Sequence, residues 1–123
     1  MIPINELQAK IYQVLSELNV KVYDEVPEGA KLPLISISDY SFTEEETKCE
    51  GYVFDWKIDI YTEYEGKKQV NILVSEAIGK LYKLIDSDLS ERFSVTDTMI
   101  SSVNVSRSEG GFYIANIVVK IEI

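Results

Sequence analysis

From Tyr52 to Tyr64 the chain alternates. Tyr52, Phe54, Trp56, Ile58, Ile60, Thr62 and Tyr64 share one parity, and all but Thr62 are large apolar or aromatic residues. Between them stand Val53, Asp55, Lys57, Asp59, Tyr61 and Glu63, which are mostly polar. Successive side chains of a strand point to opposite faces, so the pattern predicts one long strand with a buried face and a wet face, ended by Gly66. The period then changes. Val70, Leu73, Val74, Ala77, Ile78, Leu81 and Ile85 fall at i, i+3, i+4, i+7, i+8, i+11 and i+15. That spacing predicts an amphipathic helix that folds back onto the strand and builds the core with it.

The flanking segments fill in around this pair. Leu7, Ile11, Val14, Leu15 and Leu18 repeat at helical spacing, which predicts a helix over residues 5–19 with Asn5 as its cap and Gln8 closing a capping box. Residues 20–24 alternate as a short strand, and residues 26–33 form a loop whose two prolines each remove an amide donor. A β-branched strand is expected over residues 34–40. Residues 41–51 carry Glu44, Glu45, Glu46 and Glu50 against Lys48, too much like charge to pack in a core, and are expected to be an exposed, mobile hairpin connection.

After the helix, Asp86-Ser87-Asp88 breaks the pattern and residues 89–93 are expected to cover one end of the core. Two strands close the chain, over about residues 94–107 and 112–122. Gly110-Gly111 between them suits a tight turn with positive φ. The last strand puts Tyr113, Ala115, Ile117, Val119, Ile121 and Ile123 on one face. Phe112, Ile114 and Val118 share the other with Asn116, Lys120 and Glu122, and that face is too apolar to be wholly solvated. The expected architecture is a single α+β domain over residues 1–123 in the order α-β-β-β-α-β-β. A mostly antiparallel sheet of about five strands carries two helices on one face.

Composition narrows the function more by exclusion than by assertion. The 123 residues suffice for one core that buries roughly 65% of the unfolded surface. A net charge of −9 disfavours a conventional nucleic-acid grip, because phosphates are repelled. Cys49 is the single cysteine, which rules out an internal disulfide and suits a reducing compartment. The opening residues MIPINELQAK lack the pattern of a signal peptide, and no apolar run nears the roughly 20 residues of a membrane span. The expectation is a soluble intracellular product with no membrane partner.

Catalytic chemistry is hard to find. The chain has no histidine, so the commonest general base and metal ligand are both missing. Cys49 lies among glutamates, which raise a thiol's pKa. Glu44, Glu45 and Glu46 are consecutive, unlike the spaced ligands of a calcium site, and read as a solvated charge run. Gly110-Gly111 joins two strands and not a strand to a helix, so it is no phosphate loop. The aromatics of the central strand have aspartates beside them where a base-stacking platform would have lysines and arginines. No enzyme, cofactor or metal is expected.

One stretch is recognisable. Val22-Tyr23-Asp24-Glu25-Val26-Pro27-Glu28-Gly29-Ala30 follows an N-terminal helix and leads into Leu32-Pro33-Leu34-Ile35-Ser36-Ile37. A Thr/Glu-rich loop, the alternating strand Phe54 to Tyr61 and a helix ending Ile78-Gly79-Lys80-Leu81-Tyr82-Lys83-Leu84 come next. This order resembles the tail-completion family of long-tailed bacteriophages and prophages, which includes tail terminators and tail-to-head joining proteins. The resemblance implies a structural role in the virion tail or neck, assembled in the host bacterial cytoplasm. It implies a ring, typically a hexamer, that caps the tail tube, meets the tube protein and a head-connector protein, and lets DNA pass without specific binding. A ring needs two different surfaces per copy. The candidates are Phe112, Ile114 and Val118 on the last strand, Tyr61 on the central one, and the glutamates 44–46. Two other classes stay open: an acidic immunity or inhibitor module that blocks a basic toxin or nuclease, and a small-ligand binder or enzyme with a convergent polar pocket.

Overall fold

The computed structural model describes residues 1–45, 51–64, 66–90 and 92–123. Its elements run α1 (Ile4–Leu15), β1 (Lys21–Tyr23), β2 (Leu34–Glu44), β3 (Tyr52–Tyr61), α2 (Lys68–Leu81), β4 (Asp88–Ser90), β5 (Phe93–Ser94), β6 (Asp97–Arg107) and β7 (Tyr113–Glu122). Five strands make one sheet in the order β1-β2-β3-β7-β6, antiparallel except for the β1–β2 pair, and β4 with β5 forms a separate small hairpin. The α+β architecture and element order expected from the pattern are those observed.

The core face of the sheet is built in rows. Ile35, Ile60, Ala115 and Val105 lie side by side across β2, β3, β7 and β6, followed by Ile37, Ile58, Ile117 and Val103. Tyr40, Trp56, Val119 and Ile100 make the third row, and Phe42, Phe54, Ile121 and Thr98 the fourth. The eight residues that β3 and β7 give to these rows are fully buried. Leu7, Ile11 and Leu15 of α1 and Val70, Leu73, Ala77 and Leu81 of α2 supply the opposing layer. Each large side chain removed from water in this way contributes about 1.5–3 kcal/mol. Between the second and third rows β2 shifts register at Ile37/Tyr40 and β6 at Ile100/Ser102. Each is a bulge that adds a residue without turning the strand's faces over.

Several boundaries differ from the sequence reading. Helix α1 starts at Ile4 after Pro3, with no side-chain cap bond, and ends at Leu15. Asn5 therefore lies inside the first turn, and Gln8 donates to Asp24 at 3.5 Å instead of closing a capping box. Pro3 brings no amide of its own to the helix start, and the Ile4 N–H donates to the Ile2 carbonyl at 2.9 Å, so two of the start's donors are accounted for without a side-chain cap. Helix α2 stops at Leu81 and continues as a 3-10 turn over Tyr82–Leu84, not as α-helix to Ile85. Strand β3 ends at Tyr61 rather than Tyr64, and Thr62 is held instead by two bonds to the Tyr113 carbonyl, 3.2 Å from its N–H and 2.8 Å from its hydroxyl.

Leu89 in β4 and Phe93 in β5 pack against the core as expected, while β6 starts at Asp97 instead of 94. Of the glycine pair only Gly111 takes a positive φ, 90°. The largest correction concerns residues 41–51: Ser41 to Glu44 continue β2 and pair with Asp55 to Tyr52. Main-chain pairing outweighs the charge of Glu44, because a strand at the sheet edge keeps that side chain in water.

Candidate interface surfaces

The face of the sheet away from the helices mixes charge with apolar residues. Its rows pair Asp55 with Lys120, Lys57 with Val118, Asp59 with Asn116 and Tyr61 with Ile114. The Asn116 amide donates to Asp59 at 2.7 Å, which fixes one carboxylate without neutralising it. Tyr61 is half-buried, and burial, then the charge of Asp59, push its hydroxyl above the ordinary value of 10.0. It is therefore a neutral donor at physiological pH. The loop before β2 reaches round to this corner, where Val26, Pro27, Ala30, Leu32 and Leu34 line a hollow of about 280 Å³ with Tyr61.

The sequence-derived candidates divide into two places. Tyr61 and Ile114 are cross-strand neighbours, with Phe112 half-buried in the loop beside them. Val118 sits four residues along β7 from Ile114, next to Lys57. Glu44 and Glu45 lie at the opposite end of the sheet, where the Glu45 N–H donates to the Gly51 carbonyl at 2.8 Å. From Tyr61 to Tyr52, level with Glu44, is about 30 Å of strand, so the described candidates cannot form one patch. Glu46 and Cys49 lie outside the described residues.

Pattern reading missed a second group of apolar residues, exposed on the helix side of the sheet. Tyr40 is 43% exposed, Phe42 37%, Val103 40% and Val105 37%. Their signal was present in the spacing: Ile37 to Tyr40 and Ile100 to Val103 are steps of three within runs of two, the mark of a bulge that keeps both flanks on one face. Tyr40 stacks on Trp56 at 4.5 Å between ring centroids, and Phe42 lies 4.9 Å from Phe54. These two rings are held in place from beneath while their outer sides face water.

A groove of about 580 Å³ lies beside the start of α2, lined by Val20, Pro33, Tyr64, Ile72 and Leu73 together with Lys68 and Glu76. Among the described residues no three His, Cys, Asp or Glu side chains gather as metal ligands, and no helix is long and apolar enough to cross a membrane.

The chain belongs to the family described as tail completion protein gp17, which matches residues 8–109. It is a structural protein of the phage-tail class. The fold is also that of a chain in the structure titled "Virion of native gene transfer agent (GTA) particle". The two share 22% identity and superpose with a TM-score of 0.72 over 94% of this chain and 92% of that one. No curated protein matches in sequence.

Proposed function

We propose that the protein forms a ring, six copies in the form the resemblance implies, that caps the tail tube and joins the tail to the head connector. The observation that carries this is family membership over residues 8–109. The likeness in fold to a chain of an assembled virion particle supports it. In this reading the protein works by binding alone, without catalysis, in the neck of the particle, after assembly in the host cytoplasm. Its partners are further copies of itself, the tube protein and a connector protein.

The two candidate places suit two different contacts. Tyr61, Ile114 and Phe112 at one end of the sheet and Glu44 and Glu45 at the other are separated along the strands, as docking to two neighbours above and below requires. A net charge of −9 lets DNA pass the ring without adhering to it. The test is electron microscopy of tail tubes mixed with the purified protein. Capped tubes of defined length are expected. Replacing Glu44, Glu45 and Glu46 together with serine is expected to weaken capping; unaltered capping and infectivity would remove the hairpin from the account. A tight one-to-one complex with a basic protein, with no self-assembly, would instead favour the acidic-inhibitor reading.

A further inference from the structure

The sheet is unfinished at two diagonally opposite corners. Strand β1 covers the edge of β2 only along Leu34–Ser36. Beyond it, Asp39 to Glu44 are exposed on both faces, and no strand among the described residues pairs with that side. At the other edge β6 has β7 as its one strand neighbour, and Ser101 to Arg107 are likewise exposed on both faces. A strand edge presents unpaired N–H and C=O groups, and natural sheets guard such edges with charge (lysine above all), proline or bulges. Neither lysine nor proline occurs in 39–44 or 101–107, and the bulges at Ile37/Tyr40 and Ile100/Ser102 stand only at one end of each stretch.

The two corners match in more than length. Each carries two large apolar residues at alternate positions on the helix side: Tyr40 and Phe42 on one, Val103 and Val105 on the other. Their directions also agree. Strands β2, β3, β7 and β6 alternate in direction, so a neighbouring copy in the same orientation sets its β2 antiparallel to β6, the geometry of the more stable ladder.

We propose that copies of this chain join by main-chain pairing of residues 39–44 of one with residues 101–107 of the next, with Tyr40 beside Val105 and Phe42 beside Val103. The joint rests on the ring reading above and names its self-contact. Val105 stands in the row of Ile35 and Ile60, and Tyr40 in the row of Trp56. Each copy is therefore offset from the last by the four residues from Ile60 to Trp56 over four strands. With about 3.3 Å per residue and 4.8 Å between strands, that offset tilts the strands by roughly 35°. Closed sheets have strand tilts of about 35–45°. The same step that buries the four exposed side chains thus favours closure over an endless ribbon.

The test is cross-linking in a Cys49→Ser background. Tyr40→Cys with Val105→Cys, or Phe42→Cys with Val103→Cys, is treated with a short bis-maleimide under conditions where the parent protein assembles. Within one chain the members of each pair lie on opposite edges, about 14 Å apart across the sheet alone, so links are expected between copies. A ladder of covalent oligomers up to the full ring is expected from each double variant and from neither single variant. A Val103→Lys, Val105→Lys variant, changed only at exposed positions, is expected to melt like the parent and to associate at least about tenfold more weakly.

Rings seen by microscopy with no ladder, or rings undiminished in the lysine variant, would overturn this joint and leave the ring reading standing. A parent protein that never assembles, even with tail tubes, would overturn both.

Discussion

Glu17 accepts from Lys80 at 2.9 Å and from Lys83 at 3.4 Å, tying the turn after α1 to the end of α2. These bonds, with the nearby positive charges, hold its carboxyl below the ordinary 4.5. A depressed folded pKa means stabilisation present above the unfolded value and lost as pH falls through the folded one. The Glu17 side chain is about half exposed, so solvent screening keeps the contribution small. An NMR titration is expected to place its midpoint below 4.5, returning toward 4.5 in a Lys80→Ala, Lys83→Ala variant. Thr62 is the stronger residue-scale constraint, being wholly buried with its hydroxyl 2.8 Å from the Tyr113 carbonyl. Thr62→Val keeps the shape and removes that donor, and is expected to cost about 1 kcal/mol in denaturant unfolding. Neither contact was legible in sequence, because partners 51 residues apart along the chain leave no local periodicity.

At the scale of elements, legibility followed burial. Strands β3 and β7 and both helical stripes could be read directly, since each has one buried face and one that is at least partly exposed. The reading failed where charge and pairing compete. Ser41 to Glu44 look like a loop by composition and are strand by register, because β3 supplies the partner groups and the edge supplies the solvent. The cap was misplaced as well: the helix starts two residues earlier than the Asn5 signal, after Pro3 and with no side-chain cap bond. The candidate surface on β7 was legible as an apolar excess. The four exposed residues beside the bulges were not, because a step of three breaks the alternation that marks residues as sharing a face. Trp56 links the two levels, being fully buried beneath Tyr40. Trp56→Ala is expected to cost about 3–5 kcal/mol, and the loss should appear as a lower denaturant midpoint.

For the molecule as a whole, charge and shape pull in opposite directions. Copies that each carry −9 repel one another, while the proposed joint at the open strand corners would draw them together. Raising ionic strength from about 0.01 to 0.15 M shortens the Debye length from about 30 to 8 Å. Self-association is therefore expected to tighten over that range, and a contact held by ion pairs would weaken instead.

The central claim, that this tail-completion protein works as a closed ring of its own copies, is most directly tested by mass. Light scattering across a concentration series, with and without purified tail tubes, is expected to show a discrete species near six copies and no continuous growth beyond it. A protein that stays monomeric at high concentration, and remains so with tail tubes present, would contradict it.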